Sequence, residues 1–196
     1  MMGFVFFEGK GWIAFAIQPA VAYIQDDKRE EPNMALTVVL VRHGEAKAKK
    51  LGQTDFDREL TTWGMERLEE AFPRTMSLVN TTSSSELWVS PAVRAKQTAE
   101  IANKTLGIKT RRELRCLYEQ DDEAFLAELA QTNADVVVVV GHIPFMEDLC
   151  SYLCGQYLGF STGAAAAISL DDRMVRSVAD GMVRGRLQWF VQGPIA

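Results

Sequence analysis

Two uninterrupted apolar runs, Leu36-Thr37-Val38-Val39-Leu40-Val41 and Val136 to Val140, constrain the fold more than any other feature of this chain. Runs of this length without polar alternation belong to strands covered on both faces, the kind found in parallel sheets. Each run ends in similar punctuation: Arg42-His43-Gly44-Glu45 after the first, Gly141-His142-Ile143-Pro144 after the second. His43 and His142 are the only histidines in the sequence. Open α/β sheets keep their ligand sites just past the carboxyl ends of such strands. The pattern therefore points to one site shared by two imidazoles about a hundred residues apart.

Composition narrows what that site can serve. A chain of 196 residues suits one α/β core rather than two. A net charge of −5 argues against binding nucleic acid by general backbone attraction, while leaving room for a small positive pocket. Cys116, Cys150 and Cys154 form no disulfide framework, so a reducing, cytoplasmic setting is the expectation. No apolar stretch approaches the roughly 20 residues of a membrane span. The first 33 residues stand apart. Phe4–Phe7 and Trp12–Ile17 flank a Gly-containing turn and read as a hairpin, and Gln25 to Asn33 reads as a polar linker. Ala20-Val21-Ala22 resembles a signal-peptide cleavage site, but no basic segment precedes it and Glu8–Gly11 interrupts the apolar core. The expectation is an extension over 1–33 and a functional domain over 34–196, starting at Met34.

Strand and helix patterns alternate from Met34 onward, predicting a single-domain three-layer α/β sandwich with a mostly parallel central sheet. Lys47 to Glu59 is polar, with Lys47, Lys49 and Lys50 clustered in it. Leu60-Thr61-Thr62 opens a helix with a threonine cap, and Pro73 is expected to kink or end it, leaving a second segment from Arg74 to Val79. Leu87-Trp88-Val89 reads as a short strand. Ser90-Pro91 has the form of an N-cap serine and a first-turn proline for a helix closed by Gly107. Arg94 then projects from the first turn, where free N–H groups and the helix dipole favour an anion. A helix over Asp121–Ala130, a helix from Pro144, and strands at Ala164–Leu170 and Arg186–Val191 complete the pattern.

Arg42, His43, Arg94 and His142 thus gather on one rim. Arginine forks match phosphate oxygens and stay charged at any working pH. A neutral imidazole, with an ordinary pKa of about 6.5, is a competent nucleophile near neutrality. A second imidazole can donate to a phosphoryl oxygen. The residue types fit covalent phosphoryl transfer through a histidine, with activity falling as pH drops through the pKa of His43.

These segments resemble the histidine phosphatase superfamily, whose fold is phosphoglycerate mutase-like. Leu40-Val41-Arg42-His43-Gly44-Glu45 is similar to its signature loop, and Leu60-Thr61 with Gly64 to its next landmark. Ser90-Pro91-Ala92-Val93-Arg94-Ala95-Lys96-Gln97-Thr98-Ala99 resembles its second arginine motif, and Gly141-His142 its second histidine. The chain length after Met34 and the short stretch between Arg94 and His142 look most like the small SixA-type phosphohistidine phosphatases. The resemblance implies that His43 is phosphorylated and that Arg42, Arg94 and His142 hold the phosphate. It implies no metal or other cofactor. Glu119 is the candidate proton donor by position, set against a plain reading in which it belongs to the acidic run with Asp121, Asp122 and Glu123. Lys49 stands near the place where larger members carry an asparagine. The implied partner is a protein bearing phosphohistidine. The alternatives are a phosphatase of small phosphate esters and a non-catalytic phosphate-binding module. Oligomeric state is left open.

Overall fold

The strand Leu36–Arg42 (β3) lies inside a six-stranded sheet, paired on one side with Val136–Gly141 (β6) in parallel and on the other with Ala165–Leu170 (β7) antiparallel. This computed structural model describes residues 36–170 and 185–194, together with the backbone of residues 3–7 and 11–15. Beyond β6 come Glu86–Val89 (β4) and the edge strand Thr110–Glu113 (β5), both parallel. Arg186–Val191 (β8) closes the other edge, antiparallel to β7, so the order is β5-β4-β6-β3-β7-β8. Strands β3, β4, β5 and β6 run the same way, and β7 runs against them. The expected mostly parallel sheet is therefore present, with a mixed edge.

Continuous apolar runs are needed because each central strand serves two cores. Val39, Val41, Leu87, Val89, Val138 and Val140 pack with the helices Thr62–Met76 (α1) and Val93–Leu106 (α2). Their neighbours Val38, Leu40, Trp88, Val137 and Val139 pack on the opposite side with the short helix Cys116–Glu119 (α3), Asp122–Gln131 (α4) and Phe145–Cys154 (α5). A period-two strand presents alternate residues to the two faces, so burial on both leaves no place for polar alternation. This is the three-layer sandwich.

Local signals act as read in several places. Thr61 caps α1 by accepting from Gly64 N at 2.8 Å, and Asp121 caps α4 by accepting from Ala124 N at 3.0 Å. Gly107 ends α2 in the left-handed region at φ 63°. Three expectations are corrected. Pro73 neither ends nor splits α1, which runs unbroken from Thr62 to Met76. Pro73 and Glu69 lie on the exposed face, where water can take the carbonyl left unbonded by the missing N–H. Ser90 is not the cap of α2; the cap is Ala92, without a side-chain bond. The helix also does not present a free first N–H to an anion, because Val93 N donates to Phe56 O at 3.1 Å.

The chain divides into units Met1–Pro32 and Asn33–Ala196. In the first, Gly3–Phe7 (β1) pairs antiparallel with Gly11–Phe15 (β2), Gly3 opposite Phe15. The expected turn residues 8–10, the Ala20-Val21-Ala22 segment and the linker at 25–33 fall outside the described residues. Among the described residues, no helix is long and apolar enough to cross a membrane.

Candidate active site

Three neighbouring strands, β4, β6 and β3, end at the same rim and supply the four side chains singled out from sequence. Register fixes them: Arg42 lies opposite Gly141, and Val89 opposite Val140. His43 N donates to Gly141 O at 3.0 Å, and Ser90 N to Val140 O at 3.0 Å, so the loops leave the sheet in fixed positions. Arg42, His43, Arg94 and His142 all line one cavity of about 590 Å³, with Glu45, Asp55, Arg58, Tyr118 and Ile143 among its other walls.

Hydrogen bonding defines which atom of each imidazole is free to react. His43 Nδ1 lies 2.6 Å from Gly44 O, and since a carbonyl can only accept, Nδ1 carries the proton. Nε2 therefore holds a lone pair, and Arg94 Nε donates to it at 3.2 Å. The His142 ring stands edge-on to His43 with centroids 5.0 Å apart. His142 Nε2 bonds Ser90 Oγ at 2.8 Å, while its Nδ1 and Arg42 Nε are buried without a hydrogen-bond partner among the described residues. Buried polar atoms are seldom left so. Arg42 is anchored from outside, donating to Phe160 O at 2.6 Å, and Phe160 N in turn donates to Glu147.

Burial lowers His43 from its ordinary 6.5 to about 4, with Arg94, Arg42 and Arg58 adding to the effect and the Gly44 carbonyl opposing it. Burial, then the His43 and Arg94 charges, lowers His142 to about 3 against the pull of Asp55. Both rings are consequently neutral near pH 7. The unfolded chain takes up protons first on acidification, so these two groups make the fold less stable as pH falls from about 6.5 toward about 4 for His43 and about 3 for His142. With two histidines in the chain, NMR of the imidazole protons should show two signals, both titrating below about pH 5. A midpoint near 6.5 for either ring would contradict this burial.

Not every expected residue reaches the cavity. Glu119 does not: it ends α3 with its carboxylate on Arg115 Nε at 2.7 Å, half exposed and outside the lining, while its neighbours Tyr118 and Gln120 face inward. Glu119→Gln is expected to change turnover by less than about twofold, as for other exposed ion pairs, measured on any substrate the enzyme accepts. Sequence reasoning missed Asp55 and Arg58. Asp55 joins two arginines, accepting from Arg58 at 2.9 Å and from Arg94 NH2 at 2.9 Å, while its backbone carbonyl takes Arg94 NH1 at 2.7 Å. The Arg58 guanidinium, then Arg94, holds the Asp55 carboxyl below the usual range, so it stays ionised and is a poor proton donor. The Asp55-x-x-Arg58 spacing within a polar loop was the available signal. Ser90 was seen, but as a helix cap rather than the partner of His142.

The chain's likeness to known proteins bears on this geometry. The profile of the histidine phosphatase superfamily (branch 1) matches residues 38–121, which contain Arg42, His43 and Arg94. No curated protein matches the sequence. Among solved structures, the protein histidine phosphatase SixA in complex with tungstate superposes at a TM-score of 0.63 and 25% identity, covering 81% of this chain and 97% of that one. A SixA-assigned protein of Agrobacterium tumefaciens gives 0.64 and 27%, over 80% and 97%. Phosphoglycerate mutase of Plasmodium falciparum, at 0.57 and 17% over 84% and 95%, shares the fold. Over residues 38–121 the chain is similar to the histidine phosphatase superfamily, and its α/β sandwich is that of the solved SixA and phosphoglycerate mutase structures.

Proposed function

We propose that this protein is a phosphatase that works through a phosphohistidine at His43 and acts on phosphohistidine carried by a partner protein. The carrying observation is the lone pair on His43 Nε2, fixed by the Nδ1–Gly44 bond and flanked by Arg94. In the first step Nε2 bonds to phosphorus as the bond to the leaving ring breaks; that ring, protonated on its other nitrogen, takes the electron pair and departs as neutral imidazole. In the second, water bonds to phosphorus, the Nε2–P bond breaks, and phosphate leaves. Arg42, Arg94 and His142 hold the phosphoryl oxygens as charge develops, the role in which fixed donors contribute most. A dianion between the rings favours their charged forms, so the depressed pKa of His142 rises when substrate binds and the ring becomes a stronger donor.

Neither Asp55 nor Glu119 offers a ready acid, and the remaining wall carboxyl, Glu45, accepts from Thr61 Oγ1 at 3.2 Å, which suits this leaving group. Asp55 is ionised and Glu119 points elsewhere. An imidazole leaves a phosphoramidate more readily than an alkoxide leaves an ester, and needs less help from an acid. The similar SixA structure is a complex with tungstate, an oxyanion, which supports a phosphate-binding reading of this chain. Comparing turnover of a phosphohistidine protein with that of sugar phosphates and phosphoglycerates tests the reading. We expect preference for phosphohistidine by about a hundredfold or more in kcat/KM, roughly 3 kcal/mol. Equal or better turnover of the esters would replace the proposed substrate with a small phosphate ester. Tight binding of phosphoprotein without turnover, surviving in His43→Ala, would reveal a binding module.

A further inference from the structure

The polar loop between β3 and α1 contains a feature that the chemistry does not use. Leu51 is fully exposed at its tip, with Lys49 and Lys50 exposed beside it. The tip is an ordered turn. Gly52 adopts φ 78°, Gln53 N donates to Lys50 O at 3.1 Å, and the Gln53 side chain ties Lys50 N to Asp57 O at 3.2 and 3.0 Å. A turn held this way presents its side chains outward with little conformational freedom left to lose on binding. Lys47 is engaged with Glu59, whereas among the described residues no ion pair forms at Lys49 or Lys50. The shallow depression lined by residues 49–55 shares Asp55 with the catalytic cavity, so the turn stands at the mouth of the site.

Resting on the functional reading above, we infer that the Lys49-Lys50-Leu51 turn docks an acidic segment of the phosphohistidine-bearing protein, with an apolar side chain of that segment covering Leu51. Two exposed cations on a chain of net charge −5 make a local positive patch suited to an acidic segment. A small phosphate ester would reach the cavity without touching the turn, so the feature bears on protein substrates alone.

Three probes separate the possibilities: free phosphohistidine, a phosphohistidine peptide with flanking aspartates, glutamates and one phenylalanine, and a matched peptide with lysines for the acids. For wild type at low salt, kcat/KM for the acidic peptide should exceed that for the basic one by about tenfold. That preference should vanish in Lys49→Glu/Lys50→Glu and at high salt, and Leu51→Ser should raise KM for the acidic peptide severalfold with kcat kept. Turnover of free phosphohistidine should stay within about twofold in all variants, which also reports that they fold. An unchanged preference in the double variant would overturn the docking surface while leaving the phosphatase reading intact. So would lysine-dependent sedimentation with phosphatidylserine vesicles alongside unaltered peptide kinetics, which would assign the turn to a membrane. Wild type inert toward all three probes would overturn the functional reading, and the docking proposal with it.

Discussion

His43→Ala is expected to lower turnover by about 10⁴-fold or more, the scale on which loss of a nucleophile acts. The substitution removes the one lone pair that Arg94 and the Gly44 carbonyl together hold in the cavity. Arg42, Arg94 and His142 would remain, so phosphate affinity should fall far less than kcat. The split between kcat and binding of inorganic phosphate is the informative measurement. Loss of both in parallel would mean that His43 shapes the pocket rather than attacking phosphorus. Loss of neither would remove it from the site. The ring is 5.0 Å from His142, and the possibility that the second imidazole substitutes as nucleophile is met by His142→Ala, which should lower kcat while still allowing His43 to be phosphorylated.

Arg94→Lys should cost about 10²–10³-fold in kcat, the penalty seen when one fixed donor to a transition-state oxygen is lost. Arg94 is 5% exposed and uses all three guanidinium nitrogens, toward His43 Nε2, Asp55 O and Asp55 Oδ2. A lysine retains the charge but is a point donor that cannot span those directions. Lysine is the sharper variant than alanine because it keeps a cation against Asp55, limiting the loss of stability. A thermal melt within a few degrees of wild type, with the stated loss in kcat, would confirm that geometry rather than folding is at fault. Turnover within threefold of wild type would show that Arg94 serves Asp55 rather than the phosphoryl group.

How far the sequence revealed this depends on which force sets each feature. The buried strands were legible because two-sided burial leaves an unmistakable apolar run, as in β3 and β6. The edge strand β5, Thr-Arg-Arg-Glu, gave no signal, because it owes its place to backbone pairing with β4 and exposes its charges. His43 and His142 were legible because a strand end is a fixed point in the fold. Asp55 and Arg58 were not, since their positions arise only when a loop folds back over the site and its backbone bonds the start of α2. Glu119 misled for a local reason. One turn of α3 points Tyr118 into the cavity and leaves its neighbour to pair with Arg115, four residues back, a distinction that an acidic run does not disclose.

The proposed chemistry passes a phosphoryl group through His43. Rapid quenching of the enzyme with a ³²P-labelled phosphohistidine substrate, followed by peptide mapping, tests it most directly. The expected label lies on the peptide containing His43, survives alkali, is lost in acid, and never forms in His43→Ala. A label that survives acid, maps elsewhere, or persists in the alanine variant would contradict it.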